Sequence, residues 1–383
     1  MKKILAIAAS LIVVSGLQAS SNTIKIGVQA PFTGRLAVGG ISIKKGVEFV
    51  VNKANANGGI NGKQLELISC DDKGKTLNSA ICARKFVNED VTIVVGSRTS
   101  DATNASQITY HNNKIIQTSA GTSDILTEDK YWNFFRNSFN NSAQAAFSIK
   151  YMIKDRGFKK IAIVSDMSAY SMGLAKTAIS EVKKLGGVVV LNERANSEKK
   201  NHQAIIDSAK ANGAEVIYFT GFSKDGGVLR KIQVKSGFKA EFIGGDANDN
   251  KDFIKIAGDT AVGALIVNFP TPSFLQYPQS KKFLKEFKKR YNEMPDSVWV
   301  MMNVDGLSAI LHAIKTTKSE DPKVISNFLH NIEDFPGVTG PVSFASNGER
   351  IKTKFNVYEI QADNSYFVIS SLKFQKQKKK DKK

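Results

Sequence analysis

The amino-acid sequence predicts an α/β fold of two doubly wound lobes, each built on a mainly parallel sheet. Short apolar runs alternate with helical patterns along nearly all of the 383 residues. Apolar runs that are bounded by turns and separated by helices are typical of parallel strands buried on both faces. Because a single core stops growing near ~250–300 residues, a chain of this length has room for two such units.

The first series of elements precedes residue 140. Its apolar runs predict strands over 24–28, 65–69, 91–95 and 115–118. Apolar residues recur at helical spacing between these strands, which predicts helices over 43–56, over 78–87 and from Ser100 to about Asn112. The Gly- and Asn-rich segment 57–62 is expected to form the turn after the first helix.

The second series repeats this alternation. We predict helices over 143–154 and 173–185, and strands over 161–165, 188–191, 216–219, 242–243 and 262–267. Beyond them we expect a basic amphipathic helix over 280–291 and an antiparallel pair of strands over 355–360 and 366–369. The long helix expected over 298–316 is mostly apolar, so it is either buried or packs at an interface.

Both ends of the chain are expected to lie outside the fold. A basic start, about 14 apolar residues and the small residues that follow predict a signal peptide over 1–19, cleaved after Ala19. No cysteine stands near that site to carry a lipid, which favours a soluble periplasmic protein. The formal net charge is +19, and the lysine-rich tail 374–383 is expected to be a disordered basic segment. It lacks the aromatic pattern of single-strand binders, so nucleic acid is not an expected partner.

Cysteine usage suggests one covalent link. Cys70 ends a predicted strand, and Cys82 lies in the helix that follows. An oxidising compartment favours a disulfide between them, whereas the alternative is a pair of buried thiols.

The motifs of several catalytic classes are missing from the sequence. None of its four histidines is paired at i,i+4, so a zinc protease is not expected. Neither a G-x-S-x-G elbow nor a Gly-rich phosphate loop is present. We therefore expect a protein that is not an enzyme and that carries no metal or cofactor.

Small polar residues follow the predicted strands. One example is VVGSRTSDATNAS (94–106), in which an apolar run stops at Gly96 and hydroxyl residues precede a helix. Ligands of open α/β sheets bind outside the carboxyl ends of the strands, and a helix start with free N–H groups binds anions. Asp246, after another strand, supplies the opposite charge for an ammonium group. Together these positions predict a site for a small zwitterion.

Each of these residues also has a purely structural interpretation. Ser100 is suited to cap a helix, and Thr122 with Ser123 to cap a short turn. Asp246 is suited to cap the helix near Asn250, and Phe222 to fill the core. The functional interpretation depends on the whole set lying at equivalent strand ends.

The ordered set of motifs resembles the Leu/Ile/Val-binding-protein type of periplasmic substrate-binding protein, the receptors that serve ABC importers. The resemblance covers nearly the whole mature chain and is carried by IKIGV (24–28), PFTG (31–34), NGGING (57–62), CDD (70–72), VVGS (94–97), TSAGT (118–122), IVSD (163–166) with Tyr170 and Gly173, FIGGD (242–246) and GPVSF (340–344).

The resemblance implies the type I periplasmic binding protein fold with a three-segment hinge. Lobe 1 would comprise 23–140 and 269–349, lobe 2 would comprise 141–268 and 350–373, and the chain would cross near Asn140, Asn268 and Glu349. The implied protein is a monomer that delivers a small amino acid, of branched-chain type first, to a membrane permease. Receptors for a short amide, urea or an aromatic or other carboxylate, and a ligand-sensing subunit, stay as alternatives.

The resemblance also implies a ligand site. Ser100 and Thr122, with nearby backbone N–H groups, would hold the α-carboxylate. The Ala120 carbonyl and Asp246 would hold the α-ammonium, and two aromatic residues would cover the ligand. The predicted site residues are Arg98, Ser100, Ala120, Gly121, Thr122, Tyr170, Phe222 and Asp246.

The chain departs from the family pattern at several site positions. Asp246 stands where glutamate is frequent, Phe222 where tyrosine is frequent, and small residues fill 38–40 where an aromatic is expected. Arg98 stands where branched-chain binders present an apolar residue. An arginine beside the ligand favours an acidic or amide-bearing side chain, because an unpaired buried charge is costly. The alternative is that Arg98 turns outward to solvent.

Overall fold

The structure, a computed structural model, describes residues 23–373, with side chains to residue 370. The predicted signal peptide at 1–19 and the predicted basic tail at 374–383 lie outside these residues. Within the part that is described, no helix is both long enough and apolar enough to cross a membrane.

The first half of the described chain forms a parallel sheet in the order β2–β1–β3–β4–β5. Its strands are β1 (Thr23–Ala30), β2 (Gln64–Asp71), β3 (Ile93–Gly96), β4 (Ile116–Ser119) and β5 (Phe134–Arg136). The helices between the first four strands are α1 (Ala37–Ala56), α2 (Thr76–Asn88) and α3 (Ser100–Asn112). Strands β3 and β4 are buried along their whole length, although β4 carries the polar residues Gln117, Thr118 and Ser119.

A second sheet follows in the order β14–β13–β10–β9–β8–β6–β7. Its parallel strands are β6 (Lys160–Ser165), β7 (Val188–Arg194), β8 (Val216–Phe219), β9 (Glu241–Gly244) and β10 (Leu265–Asn268). Strands β13 (Lys354–Ile360) and β14 (Tyr366–Lys373) add an antiparallel edge, which confirms the predicted C-terminal pair. The intervening helices are α4 (Asn141–Lys150), α5 (Ala169–Lys184), α6 (His202–Ala211), α7 (Ser223–Lys235) and α8 (Lys251–Ala257).

Three more helices and a short hairpin lie between β10 and β13. They are α9 (Pro278–Tyr291), α10 (Val298–Thr317), α11 (Pro322–Asn331), β11 (Phe335–Gly337) and β12 (Gly340–Val342). The apolar helix α10 packs on the first sheet, where Gly306 lies so close to Thr118 that a Cβ would come within 2.3 Å of its hydroxyl oxygen. Of the two predicted settings for this helix, burial is therefore the one found.

The predicted strand over 262–267 was wrong in its first half. Val262 is exposed and Gly263 takes a positive φ of 76°, so these residues form a turn and β10 begins at Leu265. Elsewhere the bounds shift by a few residues. The three-residue strand β5, the helix α11 and the β11–β12 hairpin were not anticipated.

Cys70 on β2 and Cys82 on α2 form a disulfide, which confirms the predicted link. Their Cα atoms lie 5.6 Å apart, within the usual range. The disulfide fastens the first turns of α2 to the edge of the first sheet.

Candidate ligand-binding site

One cavity lies where the loops after β3 and β4 face the loops and helix starts of the second sheet. It encloses about 370 Å³ of empty space, including its open mouth. The residues that line it are Arg98, Thr99, Ser100, Ala120, Gly121, Thr122, Tyr170, Phe222, Asp246, Ala247 and Trp299. All eight predicted site residues are therefore brought to one cavity, and their ligand contacts stay a prediction.

The elbow after β3 positions the start of α3. Gly96 has a φ of +129°, and a Cβ there would come within 1.9 Å of the Gln29 carbonyl oxygen, so only glycine fits. The Gly96–Ser97 peptide bond is cis. Thr99 caps α3 by accepting a hydrogen bond from the Ala102 amide. The structural interpretation of Ser100 as the cap is therefore wrong.

Ser100 is the first residue of α3, and its side chain is buried at the cavity wall. Its hydroxyl oxygen accepts a 3.1 Å hydrogen bond from the Ser123 amide. A hydroxyl that accepts in this way keeps its own hydrogen to donate. Ser100 thus offers the cavity a donor at a helix N-terminus, where the unpaired N–H groups and the helix dipole favour an anion.

The loop after β4 is held in place by Arg136, a buried residue of β5. Its guanidinium donates to the carbonyl oxygens of Gly121 and Ser123 and pairs with Glu349 at 2.9 Å. The Gly121 amide donates to the Ser119 hydroxyl at 3.0 Å. Both backbone polar groups of Gly121 are therefore hydrogen-bonded within the protein, and Gly121 forms part of the cavity wall.

Two neighbours of Gly121 retain unused polar groups. Within the residues described, neither the Ala120 carbonyl nor the amide and hydroxyl of Thr122 forms a hydrogen bond. Both side chains are almost fully buried against the cavity. An acceptor and two donors are thus left for a ligand, at the positions where the resemblance placed its ammonium and carboxylate contacts.

Asp246 lines the cavity from the second sheet, directly after β9. Its carboxylate accepts a 2.9 Å hydrogen bond from the Tyr170 hydroxyl. Burial raises the pKa of Asp246 to about 7, and the hydrogen bond from Tyr170 opposes that rise. The arrangement is a buried carboxyl group poised to ionise when a cation is placed beside it.

Two of the remaining structural interpretations also fail. Asn250, not Asp246, caps α8 through a 3.1 Å hydrogen bond from the Phe253 amide. Ser123 precedes a short 3-10 turn, but its side chain makes no capping hydrogen bond there. The core interpretation of Phe222 is confirmed in part, because Phe222 is half-buried and packs against the core, with its ring centroid 5.3 Å from that of Tyr170.

Arg98 lies at the wall of the cavity and does not extend freely into bulk solvent. It is half-buried, and its guanidinium packs on the buried backbone of Gly39 in α1. A Cβ at Gly39 would come within 2.5 Å of the Arg98 Nε atom. Burial lowers the pKa of Arg98, while Asp296 and then Asp246 oppose the shift, and the group stays charged at neutral pH.

Elements of the two sheets touch around the cavity. The Asp101 carboxylate on α3 accepts hydrogen bonds of 3.2 Å from the Ala169 amide at the start of α5. The Arg35 guanidinium carbon lies 5.6 Å from the centroid of the Phe222 ring. These contacts bridge the cleft beside the site.

Three lining residues were missed by the sequence analysis as site residues, namely Thr99, Ala247 and Trp299. Thr99 and Ala247 adjoin predicted residues, so proximity in the chain was an available signal. Trp299 lies in the first turn of α10 and packs against Phe139 at 5.6 Å between ring centroids. Its sequence setting is an apolar helix, which indicates core and gives no sign of a ligand site.

Comparison with known proteins agrees with this architecture. The family model described as periplasmic binding protein matches residues 23–365. A Leu/Ile/Val-binding protein homolog 2 of Brucella abortus is 30% identical over 337 residues, covering 88% of this chain and 90% of that protein. The leucine-, isoleucine-, valine-, threonine- and alanine-binding protein of Pseudomonas aeruginosa is 28% identical, covering 90% of this chain and 91% of that one.

A solved structure extends the match to three dimensions. The branched-chain amino acid transporter substrate-binding protein LivJ of Streptococcus pneumoniae, solved in complex with isoleucine, superposes with a TM-score of 0.82. It is 26% identical, and the match covers 92% of this chain and 99% of that one. The predicted α/β architecture and the predicted non-enzymatic, solute-binding class are thereby confirmed. The chain belongs to the periplasmic binding protein family.

Proposed function

We propose that this protein is the receptor of an ABC importer and captures an α-amino acid in the cavity, with branched-chain amino acids as its first ligands. The observation that carries the proposal is the placement of two complementary poles across one small cavity. Ser100 and Thr122 present free donors at one pole, and Asp246 presents a buried carboxyl at the other.

Each pole matches one charged group of an α-amino acid. The α-carboxylate would accept from the Ser100 hydroxyl and from the amide and hydroxyl of Thr122, in front of the N-terminus of α3. The α-ammonium would donate to the Ala120 carbonyl and to Asp246. Tyr170 would hold the Asp246 carboxylate in place through its hydroxyl. Tyr170 and Phe222 would cover the ligand from the second sheet.

The apolar part of the cavity supports a branched aliphatic side chain. Phe222, Ala247 and Trp299 provide ring and methyl surface there. The relatives support the same class of ligand, since their names specify leucine, isoleucine and valine and the similar solved structure holds isoleucine. A ligand with a carboxylate but no ammonium, such as benzoate, would leave Asp246 without its cation.

Several parts of this function are inferred with it. The protein would be exported by the signal peptide at 1–19, act as a monomer in the periplasm, and hand its ligand to the permease subunits. Its lobes, 23–140 with 269–349 and 141–268 with 350–373, would close on the ligand by rotation at the crossings near Asn140, Asn268 and Glu349.

The test is calorimetric titration of the protein purified from the periplasm and freed of ligand. We expect leucine, isoleucine and valine to bind. Leucine methyl ester, which lacks the carboxylate charge, and 4-methylpentanoate, which lacks the ammonium, are matched controls that should bind at least about 100-fold more weakly. Benzoate and urea should not bind. Absence of binding by every α-amino acid would overturn the proposal.

A further inference from the structure

Arg98 differs from the other inward arginines of residues 23–373 in having no polar partner. Four arginines in that part of the chain are buried or half-buried. Arg136 pairs with Glu349 at 2.9 Å, and Arg350 lies 3.6 Å from Asp305 and donates to backbone carbonyls. Arg230 donates to the carbonyls of Thr260 and Val262, both at 2.8 Å.

For Arg98, no carboxylate oxygen of the described residues lies within 4.0 Å, and none of its five N–H groups forms a hydrogen bond with them. Asp296, Asp246 and Asp252 attract its charge at longer range, and Arg35 repels it. An arginine in the interior normally has its donors satisfied, because a desolvated charge without a partner is costly. The exception here is the arginine that lines the ligand cavity.

The guanidinium of Arg98 occupies space that is left by a glycine of α1. The guanidinium lies over Gly39, where any side chain would collide with it. Gly39 and Gly40 are both buried, but only Gly39 faces Arg98, since a Cβ at Gly40 would meet the backbone of Pro31. Arg98 lines the cavity, and the methylene stem of an arginine packs against apolar groups.

The charges of a bound amino acid can be compared with those of the cavity. The α-ammonium neutralises Asp246, and the α-carboxylate faces neutral donors at the N-terminus of α3. A leucine zwitterion therefore leaves the charge of Arg98 without a partner. A ligand with a second carboxylate supplies the missing negative charge, and the planar guanidinium binds a carboxylate through two parallel hydrogen bonds.

We propose that the receptor also takes α-amino acids with an acidic side chain, glutamate and aspartate, and that Arg98 binds the side-chain carboxylate. This inference rests on the proposed function, because it uses the same two poles for the backbone groups of the ligand. Leucine stays a ligand because its side chain packs on the stem of Arg98 and on the apolar wall. Arg98 thereby widens the range of ligands from aliphatic to acidic amino acids.

The test compares leucine, glutamate and aspartate by calorimetry at pH 8, with the wild type, Arg98→Leu, Arg98→Lys and Gly39→Ala. We expect the wild type to bind leucine and at least one acidic amino acid. Arg98→Leu should weaken acidic-ligand binding by about 10- to 100-fold more than it changes leucine binding, because a charged hydrogen bond is lost only with the acidic ligands. Arg98→Lys keeps the charge and should retain part of the acidic-ligand affinity.

Gly39→Ala gives an independent reading, because its methyl group displaces the guanidinium without removing it. We expect Gly39→Ala to weaken the binding of glutamate more than the binding of leucine. If the wild type binds leucine but neither acidic amino acid, the inference fails and the proposed function stands. If no α-amino acid binds, the proposed function itself fails. If Arg98→Leu reduces leucine and glutamate affinity equally, Arg98 does not select the side chain.

Discussion

The hydroxyl of Tyr170 donates a 2.9 Å hydrogen bond to the buried carboxylate of Asp246. The two residues come from different elements of the second sheet, the start of α5 and the loop after β9. Burial raises the pKa of both groups, to about 7 for Asp246 and well above 10 for Tyr170, so the tyrosine stays a donor throughout the physiological range. We therefore expect ligand affinity to depend on the ionisation of the Asp246 carboxyl group.

We predict that leucine affinity rises with pH and levels off above pH 7. The folded-state pKa of Asp246 is raised from 3.8 to about 7, so the unliganded site is protonated below that value. An ammonium ligand needs the ionised form, so affinity should fall by up to about ten-fold per pH unit below 7. Calorimetry from pH 5.5 to 8.5 would measure the profile, and buffers of different ionisation enthalpy would detect proton release on binding.

The same shift affects the stability of the unliganded protein. Because the folded-state pKa of Asp246 lies above the unfolded value, its contribution to the free energy of unfolding is fully present at low pH and is lost as pH rises through about 7.

Tyr170→Phe removes the hydrogen bond that opposes the raised pKa of Asp246, so the midpoint of the leucine-binding profile should move to higher pH. A flat profile in the wild type would contradict this account of Asp246.

Thr122 tests the carboxylate pole. Its hydroxyl has no hydrogen-bond partner within the described residues, so its removal breaks no contact inside the protein. Thr122→Val keeps the shape and should weaken leucine binding by about 10- to 100-fold, as expected for a lost hydrogen bond to a charged group. Thr122→Ser keeps the hydroxyl and is the matched control. Equal affinities for the two variants would show that this hydroxyl does not contact the ligand.

Asp101 tests whether the contact across the cleft holds the ligand in. Its carboxylate accepts hydrogen bonds from the Ala169 amide at the N-terminus of α5, and it does not line the cavity. Asp101→Ala should speed leucine dissociation by about 3- to 10-fold with little change in association, because it removes a charged group from a helix start. Asp101→Asn retains a hydrogen-bond acceptor, so its leucine dissociation rate should lie between those of the wild type and Asp101→Ala. Stopped-flow fluorescence would measure both rates.

The disulfide should contribute to stability and not to binding. Cys70 and Cys82 are 12 residues apart, and closing a loop of that size stabilises by about 2–3 kcal/mol in the chain-entropy account. The double variant Cys70→Ser, Cys82→Ser should lose about that free energy of unfolding in urea and keep its affinity for leucine. A variant that loses affinity but not stability would contradict this assignment.

Much of the fold was predictable because each parallel strand carries its own signal. A buried strand between two helical layers has a largely apolar sequence, as in Ile161 to Ser165, and a turn follows it before the next helix. The elements that were predicted wrongly or missed lack this signal or carry it outside a strand. Strand β5 has only three residues, and Val262 is apolar in sequence yet exposed in a turn.

The candidate site was predictable to the extent that its residues follow strands. The loops after β3, β4 and β9 converge because the carboxyl ends of parallel strands meet at one edge of each sheet. Arg136 and Trp299 escaped because their roles depend on tertiary contact. Arg136 reaches the cavity loop from the neighbouring strand, and Trp299 arrives from a helix about 200 residues along the chain from Thr99.

The central claim is that Asp246 holds the α-ammonium of an amino acid. Asp246→Asn preserves size and hydrogen bonding with Tyr170 but removes the negative charge. Calorimetric titration of wild type and Asp246→Asn with leucine at pH 8 tests the claim most directly. The account predicts that the variant stays folded by circular dichroism and binds leucine at least about 30-fold more weakly, with no remaining dependence on pH between 6 and 8. Leucine binding of unchanged affinity in Asp246→Asn would contradict it.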